Sequence, residues 1–146
     1  MNKNLTFIAP GNSIHSFKWI SSIAERYDGD IYWITFFGTD YSIPGVKQIE
    51  FKRNIKGMLS AIFFIKKHVK GIVHIHSLGF HLLFFLLSKF VFIKNKVIST
   101  PWGSDLIYGK SNPIKLLILK NVFKNSTLIT CDAIFMKELI KDIYPL

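Results

Sequence analysis

At 146 residues, with 49% hydrophobic and 15% aromatic content, the chain is one domain's worth of sequence with material for a real core, which excludes an intrinsically disordered protein. A lone cysteine, Cys131, excludes a disulfide framework and makes a reducing compartment the expectation. The formal net charge is +10, and it is concentrated: from Lys52 to Lys124 there are thirteen Lys or Arg and one acid, Asp105. Such a surface seeks anionic partners, whether nucleic acid, phosphorylated ligands or an acidic membrane.

In chain order, residues 5–9 read as an apolar strand that breaks at the turn cluster Pro10, Gly11, Asn12, Ser13. The short run up to Pro10 lacks the length and cleavage site of a secretory leader, so a cytoplasmic chain is expected. Asn12 or Ser13 can N-cap the next helix, where Phe17, Ile20, Ile23, Ala24 and Tyr27 recur at helical spacing with Lys18, Ser22 and Glu25 opposite. Asp28, Gly29 and Asp30 end that helix. A second apolar strand follows at 31–37 and a third at 46–51, after Pro44 and Gly45. The spacing then predicts a basic helix over about 55–70 that buries Met58, Ile62, Ile65 and Val69.

The fourth strand, 72–76, puts His74 and His76 on one face, because side chains alternate along a strand. Residues 78–93 form a very apolar helical stretch. A membrane span wants about 20 apolar residues, and His81, Ser88 and Lys89 interrupt this one, so it reads as a buried helix. A fifth strand at 97–100 is stopped by Pro101, which has no N–H to give a neighbour. Trp102, Gly103, Ser104 and Asp105 then read as a loop. Asn112 and Pro113 open a helix to about Asn125, with Pro at the first helical position. A sixth strand at 127–130, Asp132 and a last helix to about Ile143 complete the pattern.

Strands alternating with helices define an α/β chain, a Rossmann-like three-layer sandwich with a mainly parallel sheet, in a single domain over 1–146. Continuously apolar strands agree, since strands covered on both faces need not alternate. Four strands then empty polar residues at one edge: Gly11, Asn12, Ser13 and His15 after the first, His76 and Ser77 at the fourth, Trp102 to Asp105 after the fifth, Asp132 after the sixth. Ligands of open α/β sheets bind outside the carboxyl ends of the strands, so these residues are the candidate site. Each also has an ordinary structural use. Asp105 and Asp132 can cap helices, Trp102 can pack, His15 can point to solvent, and His74 can be a satisfied core histidine. No Cys or carboxylate stands near His74 and His76 to complete a ligand set, so no metal is expected.

The turn Gly11-Asn12-Ser13-Ile14-His15, with Trp19 four residues after the His, resembles the first strand-to-helix turn of family-4 glycosyltransferases. Trp102-Gly103-Ser104-Asp105 resembles the motif after that family's fifth strand, and 127–139 its next strand and helix. The resemblance implies the N-terminal, acceptor-side half of a two-domain GT-B enzyme. On that resemblance the C-terminal donor-binding domain, with a paired-glutamate motif, is expected to lie outside these 146 residues. It implies a transferase that moves sugar, with retention, from a nucleotide-sugar to a glycan or lipid-linked acceptor in surface polysaccharide or lipopolysaccharide synthesis. No cofactor is expected in this chain; the nucleotide-sugar is a co-substrate. Asp105 and His15 become the catalytic candidates, and Gly11, Asn12, Ser13, His76, Trp102, Gly103, Ser104 and Asp132 the substrate-binding ones. Gly11 would let backbone amides approach an anion. Relatives commonly carry His-Gly-x-Asp where this chain has Trp102, which accepts no proton but can stack on a sugar ring.

On the basic helix, Lys56, Phe63, Lys67 and Lys70 share the face opposite the predicted core. A Phe among lysines suits an interfacial helix, and an anionic membrane surface is the expected partner, with the protein at the inner face of the cytoplasmic membrane. The plain alternative is a solvated charged face. Nucleic acid is not expected, because no nucleic-acid motif appears and the aromatics sit mostly in core positions. The competing function is a non-catalytic Rossmann-like binding module whose basic face holds a membrane or protein.

Overall fold

Every strand of the sheet runs in the same direction. In the computed structural model, which describes residues 4–79 and 95–144, six strands pair in the order β3-β2-β1-β4-β5-β6. They are β1 (Asn4–Ile8), β2 (Ile31–Thr35), β3 (Val46–Glu50), β4 (Gly71–His76), β5 (Lys96–Thr100) and β6 (Leu128–Ile129). The described helices are α1 (Ile14–Ala24), α2 (Ile55–His68), α3 (Gly103–Lys110), α4 (Pro113–Asn125) and α5 (Ile134–Ile143). The apolar helix expected at 78–93 lies almost wholly outside the described residues.

The pleat of the central strand sorts its side chains into two cores. Leu5, Phe7 and Ala9 join Ile31 and Trp33 against Ile20 of α1, with Phe17, Ile23 and Tyr27 packed at the margin. Ile8, Ile34, Val73, Ile75 and Val97 face the other way. There they meet Met58, Ala61 and Ile65 of α2, Leu106 of α3, and Leu119, Val122 and Phe123 of α4, with Met136, Ile140 and Ile143 of α5 closing the end. The result is an α/β three-layer sandwich, as the apolar strands predicted. All five residues of β1 are buried, which is what a strand covered on both faces requires.

Caps fix most helix starts. The side chain of Ser13 accepts the N–H of Ser16, and Asn54 Oδ1 accepts the N–H of Gly57 at 2.8 Å. Asn112 Oδ1 accepts from Ile114 and Lys115 at 3.0 and 3.1 Å, with Pro113 inside the first turn as expected. The segment beginning at Trp102 departs from the sequence reading. Residues 103–110 form α3 rather than a loop, and only Leu106 and Gly109 of its eight residues are buried. So short a helix with so narrow an apolar face has no readable period. The sixth strand is also shorter than expected, two residues at the sheet edge.

Sheet order reverses between β1 and β4, and α1, which follows β1, and α2, which precedes β4, pack against different cores of the sheet. The crevice above those two strand ends is where a doubly wound sheet receives its ligand.

Candidate functional site

The loops at the carboxyl edge are locked to one another before any ligand arrives. Thr35 Oγ1, fully buried, accepts the N–H of Gly11 at 2.8 Å and of Phe37 at 3.1 Å, joining the loops after β1 and β2. A Cβ at Gly11 would fall on the carbonyl oxygen of Gly38, so only glycine fits there. Its own amide is taken by Thr35, and the residue is a packing point where the loops after β1 and β2 meet.

The loops after β4 and β5 are joined by Asp105. Its Oδ2 accepts the N–H of Leu78 at 2.7 Å and that of Trp102 at 2.8 Å. Ser77 beside it holds a left-handed backbone, φ 75°, and gives its N–H to Thr100 O at 3.0 Å. For a residue with a Cβ that conformation is strained, and such strain persists where the surroundings over-determine it. Burial raises the Asp105 pKa above the ordinary carboxylate value, against the pull of the Leu78 and Trp102 amides and the Ser77 hydroxyl. Asp105 therefore performs the capping role that its position after Trp102 allowed, and it is half-buried, not an exposed loop residue.

Two hollows open on either side of Trp102. The first, about 550 Å³, is lined chiefly by His15, Lys18, Trp19, His76, Trp102 and Asp132. His76 lies at its floor, 4% exposed, with its ring 5.6 Å from Trp19 and 5.8 Å from Trp102, the latter edge-to-face. Its Nδ1 is buried without a hydrogen-bond partner. Burial lowers the His76 pKa, opposed by the carboxylate of Asp132 and reinforced by His15, so the imidazole enters neutral chemistry as donor or acceptor. Behind it, His74 Nε2 is 2.7 Å from Thr100 Oγ1, which in turn bonds Thr130. Burial, then the neighbouring His76, pushes His74 down to about 4. It is the satisfied core histidine that the sequence allowed.

The second hollow, about 500 Å³, takes Asn12, Ser13, Arg53, Ser77, Ser104 and Asp105 as its polar lining. Arg53 lies over the ring of Phe37, 4.4 Å from its centroid, which holds a cation at the rim.

The fold thus brings His15, His76, Trp102, Gly103 and Asp132 to one hollow, and Asn12, Ser13, Ser104 and Asp105 to the other. Asp132 is exposed and is not the cap of α5, since Ala133 occupies that position. Sequence reasoning missed Lys18 as a site residue, having placed it on a solvent face, and gave Trp19 no role. The signal was present: residues 15, 18, 19 and 22 are spaced to share one side of a helix. Ser77 was already among the polar residues read at this edge, but Arg53 had no such signal, because only the tertiary fold sets its loop beside Trp102.

Two indole walls beside an imidazole whose Nδ1 has no hydrogen-bond partner suit an uncharged ring bearing hydroxyl groups. The aromatic faces take its C–H surfaces and the His76 nitrogen takes a hydroxyl. The fold and this cleft define a doubly wound α/β protein with an open cleft at the topological switch point, the place where such sheets receive ligands. No protein-family model matches the chain, and no curated protein matches it significantly.

Proposed function

We propose that the chain is the acceptor-side domain of a retaining glycosyltransferase that moves sugar from a nucleotide-sugar to a glycan or lipid-linked acceptor in surface polysaccharide synthesis. The observation that carries the reading is the first hollow, where Trp19 and Trp102 flank His76 and its buried, unpartnered Nδ1. The resemblance of the Gly11–His15 turn and of Trp102–Asp105 to family-4 enzymes supports it.

In this reading an acceptor sugar stacks against the indoles, and one of its hydroxyls bonds His76. Asp132 and His15 at the rim orient the hydroxyl that attacks. The bond from the donor's anomeric carbon to its diphosphate breaks, a bond to the acceptor oxygen forms, and the hydroxyl proton leaves toward the departing phosphate. The donor is held by a second domain facing this edge, so catalysis here is positioning and charge stabilisation. Asp105 is a positioning residue, since its carboxylate is committed to Leu78 and Trp102.

The test is a titration of the chain with neutral mono- and oligosaccharides, followed by tryptophan fluorescence and saturation-transfer NMR. Saturable binding, weakened roughly tenfold or more by Trp19→Ala and by Trp102→Ala, is expected for a loss of stacking of about 1–2 kcal/mol. Absence of saccharide binding, or binding indifferent to both substitutions, would leave the non-catalytic module as the better account.

A further inference from the structure

Helix α2 carries two apolar stripes where a surface helix needs one. The inner stripe, Met58, Ala61 and Ile65, is buried in the core. The outer stripe is Ile55, Leu59 and Phe63, at 73%, 48% and 69% exposure. Spaced four residues apart, they form one row about 12 Å long, at 1.5 Å rise per residue. Exposed Lys56, Lys66 and Lys67 lie along the same outward arc, and the helix contains no acidic residue. Exposed Lys70 follows just past the helix end at His68, rather than on the helix as its spacing suggested. Among the described residues none of these four lysines has a carboxylate partner; the ion pairs are Lys47–Asp30, Lys110–Asp142 and Lys141–Glu138. Single exposed apolar side chains are ordinary, but a contiguous row of three is not.

On the same side of the sheet, α4 repeats the arrangement on a smaller scale. Ile114 and Leu117 are exposed beside Lys115, Lys120 and Lys124. Both helices bury their inner faces in one core, so their outer faces look the same way.

We propose that this face docks on an anionic lipid bilayer, with α2 lying in the interface plane. The chemistry selects the occupant. A nucleic acid would take the lysines and leave Ile55, Leu59 and Phe63 in water, whereas a bilayer takes both. The apolar row enters the acyl boundary while the flanking lysines lay their stems beside it and carry their charges to the headgroups. Arg53, two residues before Ile55, lines the second hollow. Docking therefore brings that hollow to the headgroup layer, next to any membrane-anchored ligand. The inference stands on α2 and α4 and does not require that the cleft bind sugar.

The experiment is co-sedimentation of the full chain with phosphatidylcholine vesicles, with and without phosphatidylglycerol, across a salt series and without any saccharide. Binding at least roughly tenfold tighter to the anionic vesicles is expected, falling as salt rises. Lys56→Glu, Lys67→Glu and Lys70→Glu together should abolish it. Ile55→Ser, Leu59→Ser and Phe63→Ser together should remove the binding that persists at high salt, with the thermal midpoint unchanged because these side chains are already exposed. Trp19→Ala should leave vesicle binding intact even where it removes saccharide binding. Negligible binding to both vesicle types at low salt would overturn the proposal. So would binding that ignores the serine triple and is fully competed by RNA, which would make the face a nucleic-acid surface.

Discussion

The carboxylate of Asp105 accepts the backbone N–H of Leu78 at 2.7 Å, across 27 residues of sequence. The same oxygen takes the N–H of Trp102, so one side chain joins the exit of β4 to the start of α3 and sets Trp102 between the two hollows. Removing it strands two sheltered amide donors. We expect Asp105→Ala to cost about 2–4 kcal/mol of stability, from the desolvation penalty of each orphaned group. Asp105→Asn keeps an acceptor oxygen for both amides and should cost about 1 kcal/mol. Urea unfolding of the two variants separates these outcomes, and equal losses would show that the amides find other partners.

Acid should weaken the fold through His74. Its ordinary pKa of 6.5 applies in the unfolded chain, and burial with His76 nearby brings it to about 4 in the native state. Between those values the unfolded chain binds a proton that the folded one refuses. Stability is therefore intact above about pH 6.5 and is lost as pH falls toward 4, by up to about 3 kcal/mol. His76, lowered for the same first reason, adds in the same direction. His74→Gln should flatten this dependence in denaturant titrations at neutral pH and near pH 4.5. An unchanged slope would place the acid sensitivity elsewhere.

Gly57 offers a case where helix propensity points the wrong way. Alanine in a helix interior is favoured over glycine by about 1 kcal/mol. At Gly57 of α2, however, a Cβ would fall on the backbone carbonyl oxygen of Lys52, which cannot swing aside. We expect Gly57→Ala to destabilise by about 1–3 kcal/mol, the usual cost of overpacking. A rise in the thermal midpoint would mean that the 52–54 turn relaxes freely.

His15 and Asp132 are exposed at the rim of the first hollow, and among the described residues neither makes a hydrogen bond that its loss would orphan; His15 meets Trp102 edge-to-face. In the complete glycosyltransferase proposed above, His15→Ala and Asp132→Asn should each lower turnover at least tenfold, about 1.4 kcal/mol in the barrier. Their unfolding midpoints should stay near that of the parent. Full activity in both variants would remove the rim from the chemistry.

Much of the architecture was legible in the sequence, because burial along a strand or helix is written as a local period. The six strands, the Ser13 cap, Pro113 in the first turn of α4 and the Rossmann-like layering follow from runs and spacings in residues 4–79 and 95–144. Tertiary structure alone decided which loops meet. His76 and Trp102 come within 5.8 Å because β4 pairs with β5, and Thr35 reaches Gly11 because β2 pairs with β1. Strand order is a long-range property that no local period records. The same holds for Asp105, whose cap becomes a tie between loops only when β4 ends beside it, and for Ile55 and Leu59. An apolar residue on a helix reads as core until the packed sheet shows which arc of that helix is already covered.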